Sequence, residues 1–99
     1  MNLLNRLRSV ADRWVEMHRR TDASVSLKTL GVRCANNSKL FDRPGMAVAT
    51  FEATAIWLGD PANWPLALVP NDAAQALCDL GVLVPLVNWI DLPEEGIAA

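Results

Sequence analysis

The segment SLKTLGVRCANNSKLFDRPG, residues 26–45, contains two short helical patterns separated by a turn. The first pattern predicts a helix from near Val25 to Leu30, or onward to Arg33. A double asparagine at 36–37 then predicts a turn, and either asparagine can cap a following helix.

The second pattern of this segment predicts a short basic helix over residues 38–43. Leu40 and Phe41 point toward a core, whereas Lys39 and Arg43 are four positions apart and share another face. A proline-glycine pair follows and ends the helix. We therefore expect a short cationic helix held by a neighbouring one.

Longer helical patterns surround this segment. Before it, apolar residues spaced by three and four predict an amphipathic helix from Leu3 to about Arg20; they are Leu3, Leu7, Val10, Trp14 and Met17. After it, a second buried stripe predicts a helix from about Ala49 to Leu58. We expect Trp64, in the irregular stretch beyond, to pack back on the domain.

The last third of the chain predicts one more helix and an apolar end. The helix starts at Asn71 or Asp72 and reaches about Leu80, where Gly81 stops it. Residues 82–90 are apolar and β-branched, so they form a strand, an extended arm or a short helix from Pro85. We expect residues 94–99 to be frayed.

These patterns predict an all-α fold, a small helical bundle with a helix-turn-helix motif and a C-terminal apolar extension. A chain of 99 residues makes one domain with an attached extension. We place the helix-turn-helix domain at residues 1–65 and the extension, for dimerisation or partner binding, at residues 66–99.

Charge is distributed very unevenly along the chain, although the net charge is only −2. All nine Lys and Arg lie in residues 1–43, where four acids leave a balance of +5. The remaining residues hold seven acids and no Lys or Arg. This asymmetry indicates one half that faces a polyanion and one half that faces something else.

A helix, a short helix, a turn, a short basic helix and a packing helix, in that order, are the layout of a helix-turn-helix domain. The chain resembles small helix-turn-helix proteins of bacteria and their phages, the phage-repressor-like (XRE-type) regulators. The shared motif positions are Thr29-Leu30-Gly31, Cys34, Asn36-Asn37-Ser38-Lys39-Leu40-Phe41, Asp42-Arg43, Gly45, Thr50-Phe51-Glu52 and Asn63-Trp64-Pro65. Pro44 departs from the pattern by shortening the second helix of the motif.

The resemblance implies a sequence-specific DNA-binding transcriptional regulator whose recognition helix enters the major groove of double-stranded DNA. The expected contacts with bases and phosphates come from eight residues, namely Lys28, Arg33, Asn36, Asn37, Ser38, Lys39, Arg43 and Thr50. One small domain reaches few phosphates, so we expect a homodimer or a partner regulatory protein. The expected interface residues are Leu77, Leu80, Val84, Leu86 and Trp89.

An alternative prediction is a non-enzymatic adaptor or inhibitor that uses the same scaffold for protein contacts. The apolar tail and the shortened recognition helix favour it, whereas the clustered cations favour DNA. A salt titration of DNA binding distinguishes the two, because phosphate contacts weaken steeply with salt.

Other functions have little support in the residues. No nucleophile lies beside a base and no glycine loop could hold phosphate, so we expect no enzyme, cofactor or small-molecule substrate. His18 reads as a surface helix residue, and Cys34 and Cys78 read as small apolar residues rather than metal ligands or a disulfide. No secretory signal or membrane span is visible, so we expect a cytoplasmic protein with no membrane contact.

Overall fold

The computed structural model describes residues 3–21, 25–43 and 45–91, and it is mostly helical. Its four described helices are α1 (Leu3–Arg20), α2 (Leu27–Ala35), α3 (Val48–Gly59) and α4 (Asn71–Asp79). Two short strands, β1 (Val69–Pro70) and β2 (Trp89–Ile90), pair in parallel, with Val69 opposite Trp89. Single 3-10 turns cover Pro61–Asn63, Pro65–Ala67 and Leu86–Asn88. The predicted small helical bundle is confirmed.

Helix α1 is the central support of the bundle, and its predicted bounds are confirmed. Its apolar stripe is buried as the spacing requires, and Trp14 in the middle of the stripe is fully buried. The indole Nε1 of Trp14 donates to the Asn63 carbonyl oxygen at 2.9 Å, which ties α1 to the chain after α3. Near the carboxyl end of α1, Glu16 forms ion pairs with Arg19 and Arg20.

Helix α4 packs against α1 and contributes to the same core. Ala73, Ala74 and Leu77 are buried there together with Val69 and Val84, which come from the flanking segments. Residues on both sides of Pro65 therefore share one core, and the described part of the predicted extension is not a separate packing unit.

Two ion pairs connect cations of α1 with acids of α4. The Arg6 guanidinium contacts Asp79, and Arg13 Nε lies 2.7 Å from Asp72 Oδ2. Cations from the basic half of the sequence thus neutralise acids of the acidic half inside one molecule.

The apolar end after α4 folds back on the bundle instead of extending as an arm. Gly81 ends the helix with φ +91°, a left-handed conformation that glycine adopts without strain. Val84 is buried, and its carbonyl oxygen accepts from Trp89 Nε1 at 2.9 Å. Trp64 also packs into the core as expected, with Nε1 2.6 Å from the Leu58 carbonyl oxygen. The predicted fraying of residues 94–99 lies outside the described residues.

The sequence predicts that helix α2 runs from near Val25 to Leu30 or Arg33. It begins at Leu27 and ends at Ala35, two residues later than the longer prediction at each end. The Thr29 hydroxyl accepts from the Ser26 backbone N–H at 3.4 Å at the start of the helix. Asn36 ends it in the left-handed conformation, with φ 51°. None of the helices in residues 3–21, 25–43 and 45–91 is long and apolar enough to cross a membrane.

Candidate nucleic-acid interface

The residues predicted to form a recognition helix form two successive turns instead, so this prediction is wrong. We call residues 37–43 the turn segment. Leu40 N donates to the Asn37 carbonyl oxygen at 3.2 Å, and Asp42 N donates to the Lys39 carbonyl oxygen at 3.1 Å. These bonds reach three residues back, whereas an α-helix requires bonds four residues back.

Two physical causes account for the missing helix. The Asn37 side chain accepts the Lys39 N–H at 3.0 Å, which fixes a local turn that competes with helix formation. The proline at position 44 also disfavours helical backbone at Arg43. Too few residues remain between Asn37 and Arg43 to offset the cost of starting a helix.

The turn segment is held tightly against α2 at Gly31. Asn37 N donates to the Gly31 carbonyl oxygen at 3.1 Å, and a Cβ at Gly31 would lie 2.3 Å from the Asn37 carbonyl oxygen. Leu40 and Phe41 are buried in the core as the sequence predicts. The turn segment is therefore held to the core by Leu40 and Phe41, whereas its charged side chains are exposed.

Arg8 of α1 also holds the turn segment, through a contact that the sequence pattern does not predict. Its guanidinium donates to the backbone carbonyl oxygen of Arg43. The sequence places Arg8 on the exposed face of α1, and the structure shows it half-buried. Only the folded chain brings these two positions together, because 35 residues separate them.

Eight of the nine cations fall into two groups, and the ninth, Arg8, donates to the Arg43 carbonyl oxygen as described above. Arg6, Arg13, Arg19 and Arg20 are engaged in ion pairs with carboxylates. The second group has exposed side chains that form no ion pair with any described residue; its members are Lys28, Arg33, Lys39 and Arg43. These four are the cations that remain available to an external anion.

Three of the four available cations belong to the turn segment or to the adjoining side of α2. Lys39 and Arg43 belong to the turn segment, and Lys28 is one helical turn before Gly31, on the side of α2 that the turn segment contacts. Arg33 is two residues after Gly31 and points away, with its guanidinium carbon 5.5 Å from the centre of the Trp14 ring. We call Lys28, Lys39 and Arg43 the cationic face.

The polar residues predicted to contact DNA are only partly brought together. Asn37, Arg43 and Thr50 line a depression of about 130 Å³ beside the amino end of α3. Helix α3 has no side-chain cap there, because Ala47 occupies the N-cap position. Asn36 and Ser38 are exposed next to the depression without lining it.

The residues predicted to form an interface mostly complete the chain's own core. Leu77 and Val84 are buried in the chain's own core, and Leu80 and Trp89 are half-buried. Only Leu86 is well exposed, at 77%. The sequence pattern did not single out three other exposed apolar residues near it, namely Leu66, Leu83 and Val87.

His18 and the two cysteines form no metal cluster with the other described residues. His18 is half-buried with its ring centre 4.2 Å from that of Trp14, and burial, followed by the charge of Arg33, lowers the pKa of His18. Cys34 and Cys78 are free thiols, and burial raises the pKa of Cys34.

A scan against models of protein families gave no match, and neither did searches of curated proteins and of solved structures. Function therefore has to be inferred from the residues described above.

Proposed function

We propose that this chain binds double-stranded DNA through its cationic face and acts as a small transcriptional regulator of bacterial or phage origin. The single observation that carries the proposal is that three cations on the turn segment and the adjoining side of α2 are exposed and have no ion-pair partner among the described residues; they are Lys28, Lys39 and Arg43. Phosphate contacts by Lys and Arg supply most of the affinity of such proteins. The proposal involves no catalysis and no cofactor, and it places the protein in the cytoplasm.

The three cations of the cationic face and two neighbouring polar residues have roles in the proposed complex. Arg43 offers a planar guanidinium that can donate two parallel hydrogen bonds to a phosphate or a guanine, and the lysines act as point charges. Asn36 and Ser38 are exposed hydrogen-bonding groups within reach of base edges. Because the turn segment is not a helix, phosphate contacts dominate and base contacts are few.

The number of available cations sets the expected salt dependence. Neutralising three phosphates gives a slope of about −2.7 in a plot of log affinity against log salt, so affinity falls about 40-fold between 50 and 200 mM salt. Three phosphate contacts give weak binding. A homodimer or a partner regulatory protein would double the contact and is part of the proposal.

Fluorescence anisotropy of a labelled random-sequence duplex, titrated at several salt concentrations, tests the proposal. Lys39→Ala and Arg43→Ala should each weaken binding and make the slope less steep by about 0.9. Arg19→Ala is the matched control, because Arg19 is an exposed arginine that pairs with Glu16 outside the cationic face. Binding that is absent, insensitive to salt, or lowered equally by the control contradicts DNA binding at this face.

A protein-interaction adaptor is the second candidate function, and one observation favours it. Four large apolar side chains before and after α4 are between 77% and 85% exposed, and they are Leu66, Leu83, Leu86 and Val87. Leu66 is also held with φ 60°, a strained conformation for leucine. The salt titration decides between the two candidates, since an adaptor gives no salt-dependent DNA binding.

A further inference from the structure

Helix α3 carries apolar side chains on all its faces, although half of it lies at the surface. Its sequence VATFEATAIWLG contains a single charged residue, Glu52. Leu58 and Ala55 face the core, whereas Val48 is 73% exposed and Ile56 is 65% exposed. A helix that is apolar all round is normally covered on all sides.

A continuous apolar groove runs along the exposed side of α3, and we call it the α3 groove. One part, of about 390 Å³, lies between α3 and the start of α1, and its lining includes Leu3, Met46 and Phe51. The second part, of about 250 Å³, lies between α3 and the segment after α4, and its lining includes Ile56 and Val82. Phe51, Glu52 and Leu80 line both parts and join them.

Glu52 gives the α3 groove a charge at its midpoint. The carboxylate is exposed, and it forms no hydrogen bond or ion pair with any described residue. Among the residues that the structure describes, no Lys or Arg lines either part of the groove. An occupant that covers the groove must therefore supply a cation, because a carboxylate buried without a partner costs several kcal/mol.

We propose that the α3 groove docks an amphipathic helix of another protein, with a lysine or arginine in the middle of its apolar face to pair with Glu52. The charge excludes the simplest alternative, a second copy of this chain that packs its α3 groove on the first about a two-fold axis. Such a contact sets Glu52 of one copy against Glu52 of the other, and like charges in contact repel. The inference does not rest on DNA binding, because the groove and the cationic face share no residue.

The dimensions of the groove fit a short helix. Val48 and Ile56 are eight positions apart on α3, which is about 12 Å along the axis. Apolar anchors at positions i and i+7 of a partner helix span about 10 Å, and a residue at i+4 lies between them on the same face. A cation at i+4 therefore meets the midpoint of the groove whichever way the partner helix runs.

Two labelled synthetic helices of about four turns test the proposal. Both have leucines at i and i+7; one has lysine and the other glutamate at i+4. Fluorescence anisotropy measures their binding to the full chain, to Glu52→Lys and to Asp91→Lys. Asp91 is the matched control, because it is an exposed carboxylate that lines neither part of the groove. Circular dichroism verifies that each variant is folded.

The lysine helix should bind the unmodified chain and Asp91→Lys alike, and should bind Glu52→Lys at least tenfold more weakly. The glutamate helix should reverse this order and prefer Glu52→Lys. The proposal is overturned if the lysine helix does not bind, if Glu52→Lys leaves its affinity unchanged, or if Asp91→Lys lowers it equally. A dimer in light scattering that Ile56→Glu dissociates also overturns it, by assigning the groove to a second copy.

Discussion

Replacing Gly31 by alanine would place a methyl group 2.3 Å from the Asn37 carbonyl oxygen and 3.2 Å from Leu40 Cβ. Both atoms belong to the turn segment, so the methyl group would clash with that segment and push it away from α2. The nearer atom is part of the backbone and cannot move aside by a side-chain rotation. The segment as a whole has to shift.

The size of the effect follows from two opposing contributions. Alanine in place of glycine inside a helix stabilises by about 1 kcal/mol, whereas forcing extra volume into a packed site costs about 1–3 kcal/mol. Because the contact is with backbone, we expect the upper part of the cost and a net loss of about 1–2 kcal/mol. For a domain of this size the melting temperature then falls by about 4–16 °C.

Urea unfolding followed by far-UV circular dichroism measures the loss, and DNA anisotropy at a temperature where Gly31→Ala is folded measures the displacement of Lys39 and Arg43. Gly45→Ala is the matched control, because no atom of the described residues lies within 4 Å of a Cβ at Gly45. The control should change stability by less than about 0.5 kcal/mol. A Gly31→Ala variant as stable as the unmodified chain would refute the tight contact between α2 and the turn segment.

Two further predictions follow from the core and from His18. A chain that ends at Pro65 should show no cooperative unfolding by circular dichroism, because it lacks Val69, Leu77 and Val84, each worth about 2 kcal/mol when buried. A folded truncated chain would contradict the shared core. Because burial and Arg33 lower the pKa of His18 from 6.5, the unfolded chain binds a proton more readily, and stability falls as the pH drops below 6.5 through the folded pKa. Thermal unfolding at about pH 7.5 and 5.5 should show a smaller loss for His18→Gln than for the unmodified chain, and equal losses would contradict this role.

The long helices could be predicted from the sequence because their apolar periodicity extends over several turns. Helix α1 has the predicted bounds, and α3 and α4 differ from theirs by about one residue. Over such lengths one buried face outweighs local preferences of single residues.

The turn segment could not be predicted in the same way. Six residues give less than two turns of periodicity, and the side chain of Asn37 together with the proline at 44 decides the local backbone. The outward direction of Lys39 and Arg43 was predicted correctly even so, because Leu40 and Phe41 have to be buried in either conformation.

The candidate sites depend on contacts between distant parts of the chain, which the sequence pattern does not contain. Leu77 and Val84 appeared available to a partner only because the pattern cannot show that they are buried in the chain's own core. The pairing of Arg6 and Arg13 with the acids of α4 is hidden for the same reason, so the sequence overstates the cations left for DNA.

The contact between α1 and α4 also has a consequence for synthesis on the ribosome. It joins residues as far as 73 positions apart, so the side of α1 that packs on α4 is covered only when α4 has emerged. Between the ends of the two helices the ribosome adds 59 residues, which takes about 3–12 s at 5–20 residues per second. During that interval the nascent chain leaves uncovered the side of α1 that carries Arg6 and Arg13, which makes this side of α1 a stretch that a chaperone would bind.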